Sequence, residues 1–410
     1  MKKIVFICIP FILFAQNLQT LLEISKKNNY EIQSKQFLIH SKEKELRSVE
    51  KSYFPTLDLG AFYQRDDDAI PFQPGITYGI KATLSYELYD GGKRKYTLEQ
   101  KNAERKEKEF SYQDSIAKTA LAITEEFYNI LSQKALLEAR KDAAKSVKEE
   151  LDRIKRFYEA ELATSDDVDR LQSAYDRNMY EIESLKLQIL SAKKMLELSV
   201  GMKIDSFENS QFQKIDTSSI QELPSIGSLK ASKKALLYTA EQIQSAYYPH
   251  ISLQDSFSWY GYEDEPQLPA GIEYLDTQNS AMANMVLRLV DFGRLKEEKE
   301  AVLLQARALQ QQLLYAQKEQ KIQLEIAKER IKTAKINIRS AKSAYKAAKS
   351  ALETITKKYQ AGLVDNVVYL DALANNTSAK ALYEKSLNDL EIAYAKYYYY
   401  LGKDLEEMFQ

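Results

Sequence analysis

The sequence predicts a mainly α-helical protein with a small β part, organised as two internal repeats. No proline or glycine lies between Arg294 and Ala361, and apolar or small residues recur there in alternating steps of four and three. This is the spacing of helices that supercoil around partners. At a rise of about 1.5 Å per residue, the helix would be about 100 Å long. A globular core cannot surround such a rod, so the chain is expected to build a rod or a tube.

The apolar seam of this segment is continuous in its second half. Upstream, only Gln320 and Gln323 interrupt the same spacing. The second-half seam consists of Ala327, Ile331, Ala334, Ile338, Ala341, Tyr345, Ala348, Leu352, Ile355 and Tyr359. A seam of this kind needs a matching seam on a neighbouring helix.

Residues 1–15 have the layout of a secretory signal peptide. A basic start is followed by an apolar run from Ile4 to Phe14 and by the small residue Ala15. The run is too short for a membrane-spanning helix, which needs about 20 residues; the alternative is a buried N-terminal helix. Cys8 is the only cysteine, so the mature chain would contain no disulfide and no thiolate metal site.

The internal repeat is visible as a recurring motif. Residues 88–92 (Leu-Tyr-Asp-Gly-Gly) recur at 289–293 (Leu-Val-Asp-Phe-Gly), an offset of 201. The same offset places Tyr158 on Tyr359 and Gly201 on Gly402. An ungapped match over more than a hundred residues indicates a duplicated structural unit.

Each repeat is expected to contain a helix of moderate length, a β-hairpin, a long helix and a returning helix. In the first repeat, residues 16–201, the helix covers 18–52, the hairpin 54–90, the long helix 92–160 and the returning helix 165–201. An equatorial connector covers 202–225. In the second repeat, residues 226–410, the corresponding elements cover 226–247, 249–290, 293–361 and 366–402.

The predicted strands suit either a water-facing sheet or a membrane barrel. Residues 76–88 alternate apolar and polar side chains, and each strand has about the 9–11 residues that a tilted membrane strand needs. Four strands cannot close a barrel, since small barrels have about eight. An open sheet edge cannot lie in lipid, because its unpaired backbone groups are too costly. If the strands meet lipid, several chains must therefore pool them, which indicates an obligate oligomer.

The order and spacing of these elements resemble the TolC-like outer membrane efflux proteins (outer membrane factors) over 16–409. The strand entries at 53–55 (Tyr-Phe-Pro) and 247–249 (Tyr-Tyr-Pro) and the strand exits at 88–92 and 289–293 are similar to the family's. Two further motifs share this similarity: Lys27-Asn28-Asn29-Tyr30, and Tyr359-Gln360-Ala361-Gly362 with Leu370-Asp371-Ala372.

The resemblance implies a homotrimer with a twelve-stranded transmembrane β-barrel in the outer membrane and a coiled-coil helical tunnel in the periplasm. It implies the exit duct of a tripartite efflux pump or type I secretion system. The implied partners are a periplasmic adaptor (membrane fusion) protein, an inner-membrane RND, ABC or MFS transporter, and outer membrane lipid. No catalysis and no cofactor are implied.

The resemblance also implies a periplasmic iris near the tip turns, where acidic residues ring the pore. Here Asp371 and Asp167 occupy such positions, and the tip turns contain Glu161, Leu162, Gly362 and Leu363. The alternative for Asp167 is that it favours the start of the returning helix through the helix dipole.

Composition excludes several other classes of function. The formal net charge of −1 does not predict a nucleic-acid partner. Only two histidines are present, so a histidine-based catalytic or metal site is not expected. The competing interpretation is a secreted or periplasmic coiled-coil scaffold without a pore. The transported substrate is not encoded in any recognisable motif.

Overall fold

The computed structural model describes residues 17–67, 74–208, 210–214, 219–264, 268 and 270–409; the predicted signal segment, 1–15, lies outside the described residues. The helices are α1 Leu18–Asn28, α2 Tyr30–Lys51, α3 Lys93–Glu159, α4 Ser165–Val200, α5 Pro224–Gln244, α6 Arg294–Gln360 and α7 Asn366–Tyr400. The strands are β1 Thr56–Arg65, β2 Ile76–Asp90, β3 His250–Glu263 and β4 Thr277–Val286. Short 3₁₀ turns cover Ser245–Tyr247 and Leu405–Met408.

The duplicated order is present in the structure. The two long helices, α3 and α6, each contain 67 residues, and the returning helices α4 and α7 contain 36 and 35. A mainly α-helical chain with four strands in two repeats, as predicted, is confirmed. In the described part of the chain, no helix is both long and apolar enough to cross a membrane.

The chain divides into two compact units. The first comprises Met1–Gln36, Ser111–Ser225 and Ala316–Gln410, and the second comprises Phe37–Phe110 and Ile226–Tyr315. The second unit contains the sheet, and the first contains both tip turns and the largest hydrophobic cluster.

The four strands of the second unit form one antiparallel sheet in the order β1-β2-β3-β4. The sequence predicted two hairpins, and the structure joins them because β2 pairs with β3 from Ile76↔Glu263 to Asp90↔His250. β1 and β4 lie at the two edges of this sheet. The pairing of β2 with β3 connects residues far apart in sequence, so no local turn motif predicts it.

The core of the first unit surrounds the connector that follows α4. Phe212 is fully buried and stacks on Phe409 with ring centroids 4.4 Å apart. The Tyr128 hydroxyl donates a hydrogen bond to the Ser210 carbonyl at 2.7 Å. Tyr398, in the tyrosine run at 397–400, is also fully buried in this cluster. The tyrosine run is therefore a packing feature here.

The N-terminal helix, expected as one element over 18–52, is interrupted at Asn29. The Asn29 side-chain oxygen accepts hydrogen bonds from the backbone N–H groups of Glu31 at 2.8 Å and Ile32 at 3.0 Å. Its amide donates to the Ser199 carbonyl at 2.6 Å. Asparagine is a strong helix N-cap, so it starts α2 and ties that start to the end of α4.

The interruption of the α6 seam at Gln320 has a structural reason. Its side chain is buried, and its amide donates to the carbonyls of Gln221 at 2.7 Å and Tyr400 at 2.9 Å. Its oxygen accepts from the Leu223 N–H at 3.3 Å. A polar residue at a seam position thus satisfies backbone groups of the connector and of the end of α7.

Gln320→Leu would restore the apolar seam, yet we expect it to destabilise the first unit by about 2–3 kcal/mol. The change leaves buried backbone groups without partners, and each such group costs about 1–3 kcal/mol. The thermal unfolding midpoint of the helical circular dichroism signal should fall. Gln323→Leu, at the other seam interruption, is the control and should change the midpoint little. An increase in the midpoint for Gln320→Leu would contradict this account.

Candidate functional site

Both long helices end in the same turn. The Leu162 N–H donates to the Phe157 carbonyl at 2.8 Å, and the Leu363 N–H donates to the Lys358 carbonyl at 2.9 Å. Glu161 has φ of 59°, matching the 71° of Gly362. The first repeat therefore holds a non-glycine residue in the left-handed conformation that glycine adopts without cost.

Asp167 belongs to the start of the returning helix α4. One of its oxygens accepts from the Thr164 hydroxyl at 2.7 Å and from the Thr164 N–H at 3.2 Å, while Thr164 accepts from the Asp167 N–H in return. This reciprocal arrangement is a capping box. The other oxygen accepts from the Asn366 side-chain amide at 3.0 Å. Asp167 therefore caps α4 and links it to the first residue of α7, so the two tips lie side by side.

Asp371, the other predicted iris residue, is exposed on α7. It lines a groove of about 590 Å³ together with residues of α3 and α4. Two arginines of α4, Arg170 and Arg177, line the same groove. No hydrogen bond in the described residues joins Asp371 to Asp167, whose oxygens are engaged in capping and in the link to α7. Of the two acids, Asp371 is exposed and Asp167 is partly buried.

A tyrosine pair near the turns was not anticipated from the sequence. The rings of Tyr359 and Tyr369 stack at 5.0 Å with an interplanar angle of 10°. The Arg153 guanidinium lies 5.2 Å from the Tyr359 ring, and the Arg153 Nε is 3.0 Å from Glu150 Oε1. These four residues tie α3 of the first repeat to α6 and α7 of the second.

Burial controls the chemistry of this cluster. The pKa of Tyr359 is raised mainly by burial and, to a smaller extent, by the neighbouring Glu150 carboxylate. The pKa of Tyr369 is likewise raised mainly by burial and, to a smaller extent, by Glu150. A tyrosine hydroxyl is already neutral at physiological pH, so the raised pKa values extend that neutrality to more alkaline pH. The positions of Tyr359 and Tyr158 in the repeat were visible in the sequence, but the partner Tyr369 carried no signal of its own.

The sheet of the second unit has one apolar and one polar face, in register across all four strands. On the apolar face, Leu57 lies opposite Leu84, and Ile80 lies opposite Trp259. The polar face includes Thr83 opposite Ser256. The apolar side chains are exposed in the single chain; the largest of them are Leu57, Leu59, Tyr63, Ile80, Leu84, Phe257, Trp259 and Met285. Polar residues also lie on this face: Asp255 and Asn279 within it, and Thr277, Arg65 and Glu263 towards one end.

Aromatic side chains mark both ends of the apolar face. Tyr78 contacts Trp259 edge-to-face at 6.3 Å at one end, and Tyr86 lies at the other end of the same strand. Tyr86 follows Tyr78 by eight positions, which corresponds to about 27 Å along an extended strand. At the tilt of about 35–45° that membrane strands have, this is about 20 Å along the membrane normal. Membrane strands carry an apolar band about 25 Å tall between aromatic girdles. The two tyrosines therefore bracket most of the height of such a band.

Within the ranges that the structure describes, no group of three or more His, Cys, Asp or Glu side chains is placed to hold a metal ion. The two features that stand out are the tip turns with their cross-links and the amphipathic sheet.

Comparison with known proteins points to one family. The model of the family described as "Outer membrane efflux protein" matches residues 21–202 and 217–403, one match for each repeat. No curated protein matches the sequence.

Solved structures match along nearly the whole chain. The Campylobacter jejuni CmeC outer membrane channel has a TM-score of 0.82 at 16% identity, covering 95% of this chain and 86% of that chain. A membrane protein from Pseudomonas aeruginosa has a TM-score of 0.80 at 16% identity, covering 94% and 93%. The outer membrane protein VceC from Vibrio cholerae has a TM-score of 0.78 at 14% identity, covering 95% and 96%. At these identities the likeness shows a shared fold.

The matched turns allow a direct test of backbone strain. Glu161→Gly should stabilise the first tip turn by about 1 kcal/mol, because glycine adopts positive φ freely. Gly362→Ala should destabilise the second turn by about the same amount; a Cβ there meets nothing within 4 Å, so only the backbone conformation is at issue. Amide hydrogen exchange of the turn residues measures both changes. Equal effects of the same sign in the two turns would contradict the assignment.

Proposed function

This chain belongs to the outer membrane efflux protein family, and we propose from this premise that it forms a trimeric channel in the outer membrane. The channel is the exit duct of a tripartite efflux pump or type I secretion system, and its long helices form a periplasmic tunnel. The family resemblance drawn from the sequence is confirmed by the match to both repeats.

The observation that carries this proposal is the amphipathic sheet. Its apolar face carries aromatic side chains towards both ends, and its two edge strands belong to one four-stranded sheet. Backbone groups at an open edge in lipid cost several kcal/mol each, so the edges need strands from other chains. Three chains would pool twelve strands into a closed barrel, a number within the range of outer-membrane barrels.

The alternative of a water-soluble coiled-coil scaffold explains the helices but not the sheet. On the apolar face of the sheet, Leu59 is 77% exposed and Phe257 is 50% exposed. A water-soluble scaffold gains no stability from such exposure. Contiguous apolar patches of this kind mark membrane or protein contact sites. The sheet therefore favours the channel.

The proposed partners follow from the duct. A channel in the outer membrane has no energy source of its own, so an inner-membrane RND, ABC or MFS transporter supplies the driving force. A periplasmic adaptor protein connects the two. The chain itself catalyses no reaction in this proposal.

We place the gate at the tip turns. The stacked Tyr359 and Tyr369, with Arg153 and Glu150, hold the two repeats together near the tunnel end. In a trimer, the three copies of Asp371 would surround the axis as an acidic ring, while Asp167 acts mainly by capping α4.

If the apolar face of the sheet contacts lipid, a charged side chain on that face should destabilise the protein. Ile80→Arg should destabilise the assembled protein by about 2–4 kcal/mol per chain, as arginine does on the lipid face of membrane strands. Thr83→Arg, three residues away on the polar face, is the matched control and should be tolerated. Denaturant unfolding in lipid vesicles and the yield of protein in the membrane fraction measure the difference. Equal tolerance of both arginines would exclude a lipid-facing role for the apolar face.

The acidic ring predicts a change in ion selectivity. In planar bilayers, Asp371→Asn should lower the permeability of cations relative to anions about twofold or more, because three carboxylates leave the narrowest part of the pore. Asp389→Asn, the same change further along α7, serves as the control. Unchanged cation preference in Asp371→Asn would remove this residue from the gate.

A further inference from the structure

A groove of the second unit lies on the apolar face of the sheet, towards the end where β2 leads into α3. It has a volume of about 730 Å³, which is within the range of small-molecule sites. The segment before β1 forms one wall, and β2, β3 and β4 supply the rest. The groove therefore crosses the strands and lies near one border of the apolar band.

The strand register explains why a depression forms at this place. Tyr86 of β2 lies opposite Leu253 of β3, which in turn lies opposite Ala283 of β4. The next row towards the middle of the sheet contains Leu84, Asp255 and Ala281. The two alanines of β4 leave space beside the larger side chains of β2 and β3.

The wall before β1 is aromatic and held in place. The Arg94 guanidinium lies 4.7 Å from the centroid of the Tyr53 ring, and its Nε is 3.0 Å from Asp90 Oδ2. Phe54, the next residue in the wall, is 70% exposed. Because the ion pair fixes the arginine that contacts Tyr53, the groove is formed before any ligand arrives.

Among the described residues that line the groove, Asp255 is the only charged one. It is exposed, and within the described part of the chain its side chain has no hydrogen bond or ion pair. Its neighbours in the same row, Leu84 and Ala281, have no side-chain donor to offer. Ionisable residues in membrane-spanning segments are rare and generally have a partner. The carboxylate of Asp255 therefore needs a donor from outside the chain.

The depth of Asp255 indicates where that donor comes from. Its row lies two positions from Tyr86, which is about 7 Å along the strand and about 5 Å along the membrane normal. Aromatic girdles lie at the level of the lipid headgroups. In the proposed channel, the end of the sheet that joins the long helices faces the periplasm. Asp255 then lies just inside the headgroup level of the periplasmic leaflet.

The groups that line the groove select one kind of headgroup. A primary ammonium donates N–H hydrogen bonds to a carboxylate, whereas a quaternary ammonium has no N–H and an anionic headgroup has no cation to offer. The hydroxyls of Tyr53 and Tyr86, which also line the groove, can donate to phosphate and ester oxygens. One carboxylate and two hydroxyl donors thus complement a zwitterion with a primary amine.

We propose that the groove binds phosphatidylethanolamine of the periplasmic leaflet. The ammonium group lies on Asp255, the headgroup lies along the groove, and the acyl chains continue over Ile80 and Phe257 towards the middle of the apolar face. The site rests on the proposed function, because it requires the sheet to lie in the outer membrane.

Lipid binding to the purified, delipidated trimer in detergent tests this site. Phosphatidylethanolamine, phosphatidylcholine and phosphatidylglycerol with identical acyl chains are added separately, and bound lipids are counted by native mass spectrometry. The unmodified chain should bind phosphatidylethanolamine about fivefold more tightly than either other lipid, the ratio expected from one exposed ion pair. Asp255→Asn should remove this preference, whereas Asp255→Glu, which keeps the carboxylate, should retain it.

Asp58→Asn is the matched control, because it removes a carboxylate from the polar face of β1, opposite Thr83; the preference should remain. A trimer that binds the three lipids equally, or an Asp255→Asn trimer that keeps the preference, would overturn the site and leave the channel intact. Competition by phosphoethanolamine without acyl chains would overturn the assignment of a lipid. A folded monomer that does not insert into vesicles would overturn both the site and the proposed function.

Discussion

The constraint on which the rest of the structure depends is the open edge of an apolar sheet. A strand face bordered by aromatic side chains belongs in lipid, where each unpaired backbone group is costly. The single chain supplies only four strands, with β1 and β4 at the edges. In the proposed channel the edges pair with strands of other chains, so one chain alone is not the functional molecule.

The duplicated helices show a contrast between polar contacts inside the chain and exposed apolar side chains at the corresponding positions of the other helix pair. Each long helix presents one surface to its own chain and another to solvent. Inside the chain, the contact between α3 and α7 consists of ion pairs and hydrogen bonds, including Asp142 with Lys380. Pairs of this kind contribute little when exposed. The corresponding surfaces of α6 and α4 expose Ile326 and Leu187 instead.

Local patterns in the sequence were sufficient for the long helices, the strand alternation and the repeat. They were not sufficient for the pairing of β2 with β3, because about 160 residues separate those strands and no turn links them. The break at Asn29 was missed because its cap bonds are visible only once the tertiary contact with Ser199 is known. For Asp167, the sequence left a helix-dipole effect and a role in the pore both open; the capping box and the link to Asn366 are visible only in three dimensions. The stack of Tyr359 on Tyr369 likewise depends on packing across the tip.

The most direct test of the central claim is the mass of the intact, folded protein released from membranes in mild detergent. Native mass spectrometry, with the β-sheet signal followed in parallel by circular dichroism, should find three chains per particle and no folded smaller species. A stable, folded, single-chain particle that retains the sheet would show that its edges need no other copy, and would contradict the account.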